Sequence, residues 1–81
     1  MATEPAPEKA GQEILTVFRE FIIRPREMLV HGSLYPAFLG KGFRDEDWKH
    51  GLTWLIEQGF IEIPRNRPLS YFLTEKGFAQ I

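Results

Sequence analysis

The stretch GFIEIPRNRPLSYFLTEKG, residues 59–77, places two short apolar runs around a polar segment that contains two prolines. Residues 60–63 and 69–74 are rich in β-branched and aromatic side chains and alternate along the chain, which is typical of half-buried strands. Pro64 and Pro68 have no backbone N–H to donate to a sheet, so we expect them to end the strands. The pattern predicts a β-hairpin.

In this predicted hairpin, residues 60–63 pair with residues 70–74 in antiparallel orientation. Residues 65–67 form its exposed tip. Thr74 follows the second strand, and its hydroxyl is a good N-cap for a final helical turn.

Two longer helices are expected before the hairpin. Residues 12–23 place apolar side chains along one helix face, and Pro25 disfavours helix beyond that point. Residues 45–58 form the clearest helix, because Asp45 suits the N-cap position and Gly59 lies just past the end.

The second of these helices places Trp48, Leu52, Leu55 and Ile56 on one face. Gly51 inside it costs about 1 kcal/mol relative to alanine, which a close helix–helix approach would explain. The predicted core consists of Phe18, Ile22, Trp48, Leu52, Leu55, Ile61 and Leu73.

Between the two helices, two frames fit a further short helix. One covers residues 26–31, bounded by Pro25 and Gly32. The other covers residues 34–39, with Ser33 as its cap. We expect one short helix here, and the pattern leaves both frames open.

The chain has 81 residues and no cysteine, which favours one domain without disulfides. Residues 1–11 are rich in Ala, Pro and Glu and are expected to form a disordered tail, with residues 12–81 as the folded domain. No apolar run approaches about 18 residues, and no signal-peptide pattern precedes the domain. A cytoplasmic protein without a membrane partner is therefore expected.

The order of helices and hairpin resembles the winged helix-turn-helix superfamily. LIEQGFIEI (residues 55–63) followed by YFLTEKG (residues 71–77) looks like the junction of recognition helix and wing in small bacterial or phage regulators of the MarR and PadR type. The resemblance implies an α+β fold with three helices and a C-terminal β-hairpin wing. It also implies a transcription regulator that binds double-stranded DNA, with the third helix in the major groove and the wing on the backbone.

The formal net charge of −1 means that any DNA binding has to come from local patches, since nucleic-acid-binding domains are generally basic. Polar side chains on the third helix can read base edges, and cations at the wing tip or just before the helix can bind phosphates. The candidate DNA contacts are Lys49, His50, Thr53, Arg65, Asn66, Arg67, Lys41 and Arg44.

The alternative function is a winged-helix protein–protein interaction module that does not bind DNA. Trp54 and Val17 lie off the apolar stripes of their helices, so they are candidate contacts for a protein partner or for a homodimer. The other interpretation of Trp54 is that it packs under the N-terminal residues or against the segment before the third helix.

Catalysis has little support in the sequence. His31 and His50 have no partner at metal-ligand spacing, and residues 40–42 lack the length and preceding strand of a phosphate-binding loop. Acidic residues 45–47 are better explained as a helix start. The sequence predicts no enzyme activity, no metal site and no cofactor.

Overall fold

The computed structural model describes residues 6–21, 24 and 27–81, and these form an α+β fold. In the described residues, four helices accompany a three-stranded antiparallel sheet. None of these helices has the length and apolar character needed to cross a membrane. The elements are α1 (Pro7–Glu20), β1 (Met28–Val30), α2 (His31–Leu39), α3 (Asp45–Glu57), β2 (Ile61–Glu62), β3 (Ser70–Leu73) and α4 (Glu75–Phe78).

The predicted hairpin is present as β2 and β3, with Ile61 opposite Leu73. Its strands are shorter than predicted, because only two residues of the first run pair before the chain turns. β3 lies between β2 and β1, giving the sheet order β1-β3-β2. Leu29 of β1 lies opposite Tyr71, so a strand that the sequence pattern did not reveal completes the sheet.

The helix α1 begins at Pro7, five residues before its predicted start. The prediction of a disordered tail is therefore wrong for residues 7–11, and residues 1–5 lie outside the described residues. Proline is favoured at the first helical position because its missing N–H has no partner there anyway. The following Ala10 and Gly11 are buried, which stabilises this first part of the helix.

The N-terminal part of α1 approaches α3 closely at Gly51. A Cβ built on Gly51 would lie 2.8 Å from the backbone nitrogen of Gly11 and 2.9 Å from the Cβ of Ala10. Real Cβ atoms do not pack this closely, so glycine is required for this helix–helix distance. The expected reason for a glycine inside α3 is confirmed.

The core agrees with most of the prediction. Phe18, Trp48, Leu55, Ile61 and Leu73 are buried, Leu52 is partly buried, and Ile22 lies outside the described residues. Ile56, which the sequence places on the apolar face of α3 but which is not in the predicted core, is 43% exposed. The contact at Gly51 turns that side of α3 towards α1, which leaves Ile56 near the opposite edge of the buried face.

The first frame for the short helix, residues 26–31, is wrong because β1 occupies Met28–Val30. The second frame, residues 34–39, lies within α2 (His31–Leu39), but the helix starts before Leu34 and Val30 rather than Ser33 is its N-cap. Pro25 and residue 26 lie outside the described residues. The helix begins at His31 because the backbone N–H of His31 still bonds to the Leu69 carbonyl, at 2.7 Å, as the last link of the sheet. Long-range strand pairing thus sets the start of α2.

The ends of α3 are defined by backbone contacts. Asp45 is not the N-cap as predicted, since Arg44 occupies that position and its backbone N–H donates to Asp47 Oδ2 at 2.9 Å. At the other end, Gly59 adopts a φ of +76°, as expected for a glycine just past a helix. The predicted cap on α4 is also present, because Thr74 Oγ1 accepts a hydrogen bond from the Gly77 N–H at 2.9 Å.

Candidate nucleic-acid interface

The outer face of α3 carries the predicted base-reading residues. Lys49, His50 and Thr53 are all exposed, with 71% of the Lys49 side chain accessible. Glu46 and Glu57 are exposed on the same helix. This face can therefore donate and accept hydrogen bonds, and it also carries negative charge.

The tip of the β2–β3 hairpin presents Arg65, Asn66 and Arg67, all exposed. Two backbone hydrogen bonds shape the turn, one from the Arg67 N–H to the Pro64 carbonyl at 3.1 Å and one from the Ser70 N–H to the Arg67 carbonyl at 3.0 Å. Neither arginine side chain has an ion-pair or hydrogen-bond partner among the described residues. Both guanidinium groups are available to an external anion.

Three other predicted DNA cations already face carboxylates. The ion-pair distances are 3.1 Å from Lys41 Nζ to Glu20 Oε2, 3.1 Å from Lys49 Nζ to Asp45 Oδ2 and 3.7 Å from Arg44 Nε to Asp47 Oδ2. Each pair has an exposed member, so it contributes about 0–1 kcal/mol and can open. Part of the positive charge expected near α3 is nevertheless neutralised within the fold.

A cluster of aromatic rings lies between α2, the start of α3 and the sheet. The His31 ring stacks on Tyr35 with centroids 4.8 Å apart and meets the edge of Trp48 at 5.6 Å. His31 Nδ1 lies 2.7 Å from the Tyr71 hydroxyl. Burial raises the pKa of Tyr71.

Tyr35 connects this aromatic cluster to the start of α3, because its hydroxyl donates a hydrogen bond to Asp45 Oδ1 at 2.8 Å. That hydrogen bond, followed by the one from Lys49, lowers the pKa of Asp45. The same contact with Asp45 raises the pKa of Tyr35. The stabilising effect of the Asp45 carboxylate is therefore present above its ordinary pKa and lost as the pH falls through the lowered value.

Replacing Tyr35 by phenylalanine is expected to raise the pKa of Asp45 towards its ordinary value, because the largest cause of the lowering is removed. A pH titration of the Asp45 side-chain carbon by NMR measures this directly. Tyr71→Phe is the matched control, since that hydroxyl contacts His31 rather than Asp45. An Asp45 pKa that is the same in wild type and Tyr35→Phe would contradict the hydrogen-bond account.

The two predicted protein-interface residues are placed differently. Val17 is 0% exposed, so its prediction as a surface contact is wrong: it packs in the core of the fold. Trp54 is half-buried and meets the Phe60 ring edge-on at 5.6 Å. Its Cε3 would lie 2.5 Å from a Cβ built on Gly11, so the indole packs against the N-terminal part of α1, one of the alternatives from the sequence.

Trp54 also lines a cleft between α1, the end of α3 and the residues after α4. Neither this cleft nor the His31–Tyr71 contact was predicted from the sequence. Gln12, Thr16 and Arg19 recur at helical spacing on one face of α1, which was a usable signal for the cleft. The tyrosine is 40 residues from its histidine partner, and no local pattern connects them.

Within the described part of the chain, no group of three or more His, Asp or Glu side chains is arranged to hold a metal ion. The polar side chains of the candidate interface lie on the exposed face of α3 and at the tip of the β2–β3 hairpin. Comparison with protein-family models, with curated proteins and with solved structures finds no match to this chain.

Proposed function

We propose that the chain is a winged helix-turn-helix domain that binds double-stranded DNA, with α3 in the major groove and the β2–β3 hairpin as the wing. The observation that carries the proposal is the pair of arginines at the tip of the hairpin that directly follows α3. Within the part of the chain that the structure describes, neither Arg65 nor Arg67 has a hydrogen-bond or ion-pair partner. The order of elements and the sheet order β1-β3-β2 support the same fold.

The α3 face supports this role because its exposed side chains suit base edges. Lys49 donates hydrogen bonds, and His50 and Thr53 can both donate and accept. The major groove of B-DNA is about 12 Å wide and admits an α-helix. Glu46 and Glu57 oppose phosphates, so contacts from α3 would be directed to bases and the wing would supply most of the charge.

Double replacement Arg65→Ala/Arg67→Ala is expected to weaken binding to every duplex alike, on the order of tenfold to a hundredfold at low salt, because phosphate contacts carry no base information. Fluorescence anisotropy with several labelled duplexes measures the effect. The matched control is Lys9→Ala/Arg24→Ala, which removes two exposed cations outside α3 and the hairpin. Equal losses in the two double variants would contradict the assignment of the wing.

Thr53→Ala separates base reading from charge in the same assay. The variant should change the order of preference among duplexes, while the wing variant should preserve that order. A transcription regulator is the cellular role we propose for such binding. The second candidate, a protein-interaction module, is favoured by the cleft beside Trp54.

A further inference from the structure

The cleft beside Trp54 combines an apolar floor with a polar rim. Its volume is ≈ 230 Å³. The floor is formed by Leu15, Trp54, Phe60 and Ile81, so side chains from α1, α3 and the segments that follow them meet there. Trp54 is half-buried and meets the buried Phe60 ring edge-on, so the accessible part of the indole is the ring surface that a further apolar group can contact.

The rim of the cleft carries several hydrogen-bonding groups. Gln12 and Gln80 each offer an amide donor and an amide acceptor, and Arg19 offers a guanidinium group. The side chains of these three residues have no hydrogen-bond or ion-pair partner among the described residues. Thr16 differs, because its hydroxyl donates to the Gln12 carbonyl at 3.0 Å.

Two cations lie beside the cleft. Lys76 Nζ lies 5.6 Å from the centre of the Phe60 ring, near the cleft floor, and Arg19 stands at the rim. Glu20, next to Arg19 in the chain, is paired with Lys41 instead. An acidic group docked at the rim would therefore find an available cation.

The volume indicates what kind of apolar group the floor accepts. Pockets that enclose drug-sized ligands measure about 300–1,000 Å³. A cavity of about 150 Å³ holds a benzene molecule. The cleft lies between these sizes and fits one large apolar side chain, while the glutamine amides on its rim suit the backbone of an extended peptide.

We propose that this cleft binds a peptide segment of a partner protein, with one large apolar side chain on Trp54 and Phe60 and an acidic residue on Arg19. Tryptophan and arginine are the residue types most enriched among interface hot spots. The site uses α1 and Trp54, which lies one helical turn after the proposed base-reading residue His50 on α3. The peptide site is therefore adjacent to the proposed DNA site on α3, and it gives a specific form to the interaction-module alternative.

The test is titration of the isotopically labelled chain with three pools of short peptides. One pool has a central Phe flanked by Asp, Glu, Ser and Gly, the second has Lys and Arg in place of the acids, and the third keeps the acids but replaces Phe by Ser. The indole N–H of Trp54 reports binding by NMR, and the buried Trp48 is the internal reference. The acidic Phe pool should shift the Trp54 signal saturably, the basic Phe pool should bind roughly threefold to tenfold more weakly, and the Ser pool should not bind.

Arg19→Gln should abolish the preference for acidic over basic peptides and leave the folded spectrum intact, since Arg19 is exposed. Lys9→Gln, on the same helix but outside the cleft, is the control and should behave as wild type. The proposal is overturned if no pool shifts the Trp54 signal or if the acidic and basic pools bind equally. It is also overturned if hexanoate, an apolar carboxylate without a peptide backbone, reproduces the shift on its own. A Trp54 shift that follows protein concentration without peptide would assign the cleft to a second copy of the chain and overturn it as well.

Discussion

Replacing Leu55 by alanine is expected to lower the free energy of unfolding by about 2–5 kcal/mol, because the change removes a fully buried side chain and leaves a cavity. Domains are generally stable by only about 5–15 kcal/mol, and a chain of this size buries a small core. The variant should therefore lose a large part of its stability. Chemical denaturation followed by circular dichroism measures the loss.

Two neighbouring positions on α3 test the orientation of the helix. Leu52→Ala should cost less than Leu55→Ala, because Leu52 is only partly buried. Ile56→Ala should change stability by no more than about 0.5 kcal/mol, as expected of an exposed position. If the Ile56 variant lost as much stability as the Leu55 variant, the buried face of α3 would be wrong.

Replacing Gly51 by alanine is expected to destabilise the fold by about 1–3 kcal/mol, although alanine is the better helix former by about 1 kcal/mol. The added Cβ would meet backbone atoms of Ala10 and Gly11 at 2.8–2.9 Å, and α1 would have to move away from α3. The same denaturation measurement reports the loss, with circular dichroism showing that the helices persist.

Gly32→Ala is the matched control within α2. A Cβ at Gly32 would meet nothing within 4 Å, so this change should stabilise the fold by about 0.4–1 kcal/mol. The two substitutions are chemically identical and should have opposite signs. A stabilising Gly51→Ala would contradict the close approach of α1 and α3.

Features with a local chemical cause were predictable from the sequence. The hairpin followed from alternation and from Pro64 and Pro68, which cannot donate to a strand. Gly59 and Thr74 were predicted correctly because helix ends have strong residue preferences. The exposure of Arg65 and Arg67 at the hairpin tip followed from the turn that contains them.

Features that depend on distant partners were not predictable in the same way. Met28–Val30 is a strand only because β3 lies beside it, and no signal within those three residues indicates this partner. Ala10 and Gly11, in the part of α1 that was predicted to be a tail, pack against Gly51 of α3, which is distant in the sequence. Lys41 was predicted as a DNA contact because it lies just before the third helix. The carboxylate that pairs with it, Glu20, is 21 residues away in the chain.

The salt dependence of duplex binding tests the proposed function most directly. With Arg65 and Arg67 on phosphates, the logarithm of affinity should fall against the logarithm of salt concentration with a slope of about −2, because each contact releases about 0.9 counterion. The slope should steepen towards about −4 to −5 if Lys41, Arg44 and Lys49 leave their carboxylates to join them. Arg65→Ala/Arg67→Ala should flatten it by about two units. Absence of any duplex binding at about 50 mM salt and tens of micromolar protein would contradict the proposal, since even non-specific DNA binders reach about 10⁻⁴–10⁻⁶ M at physiological salt.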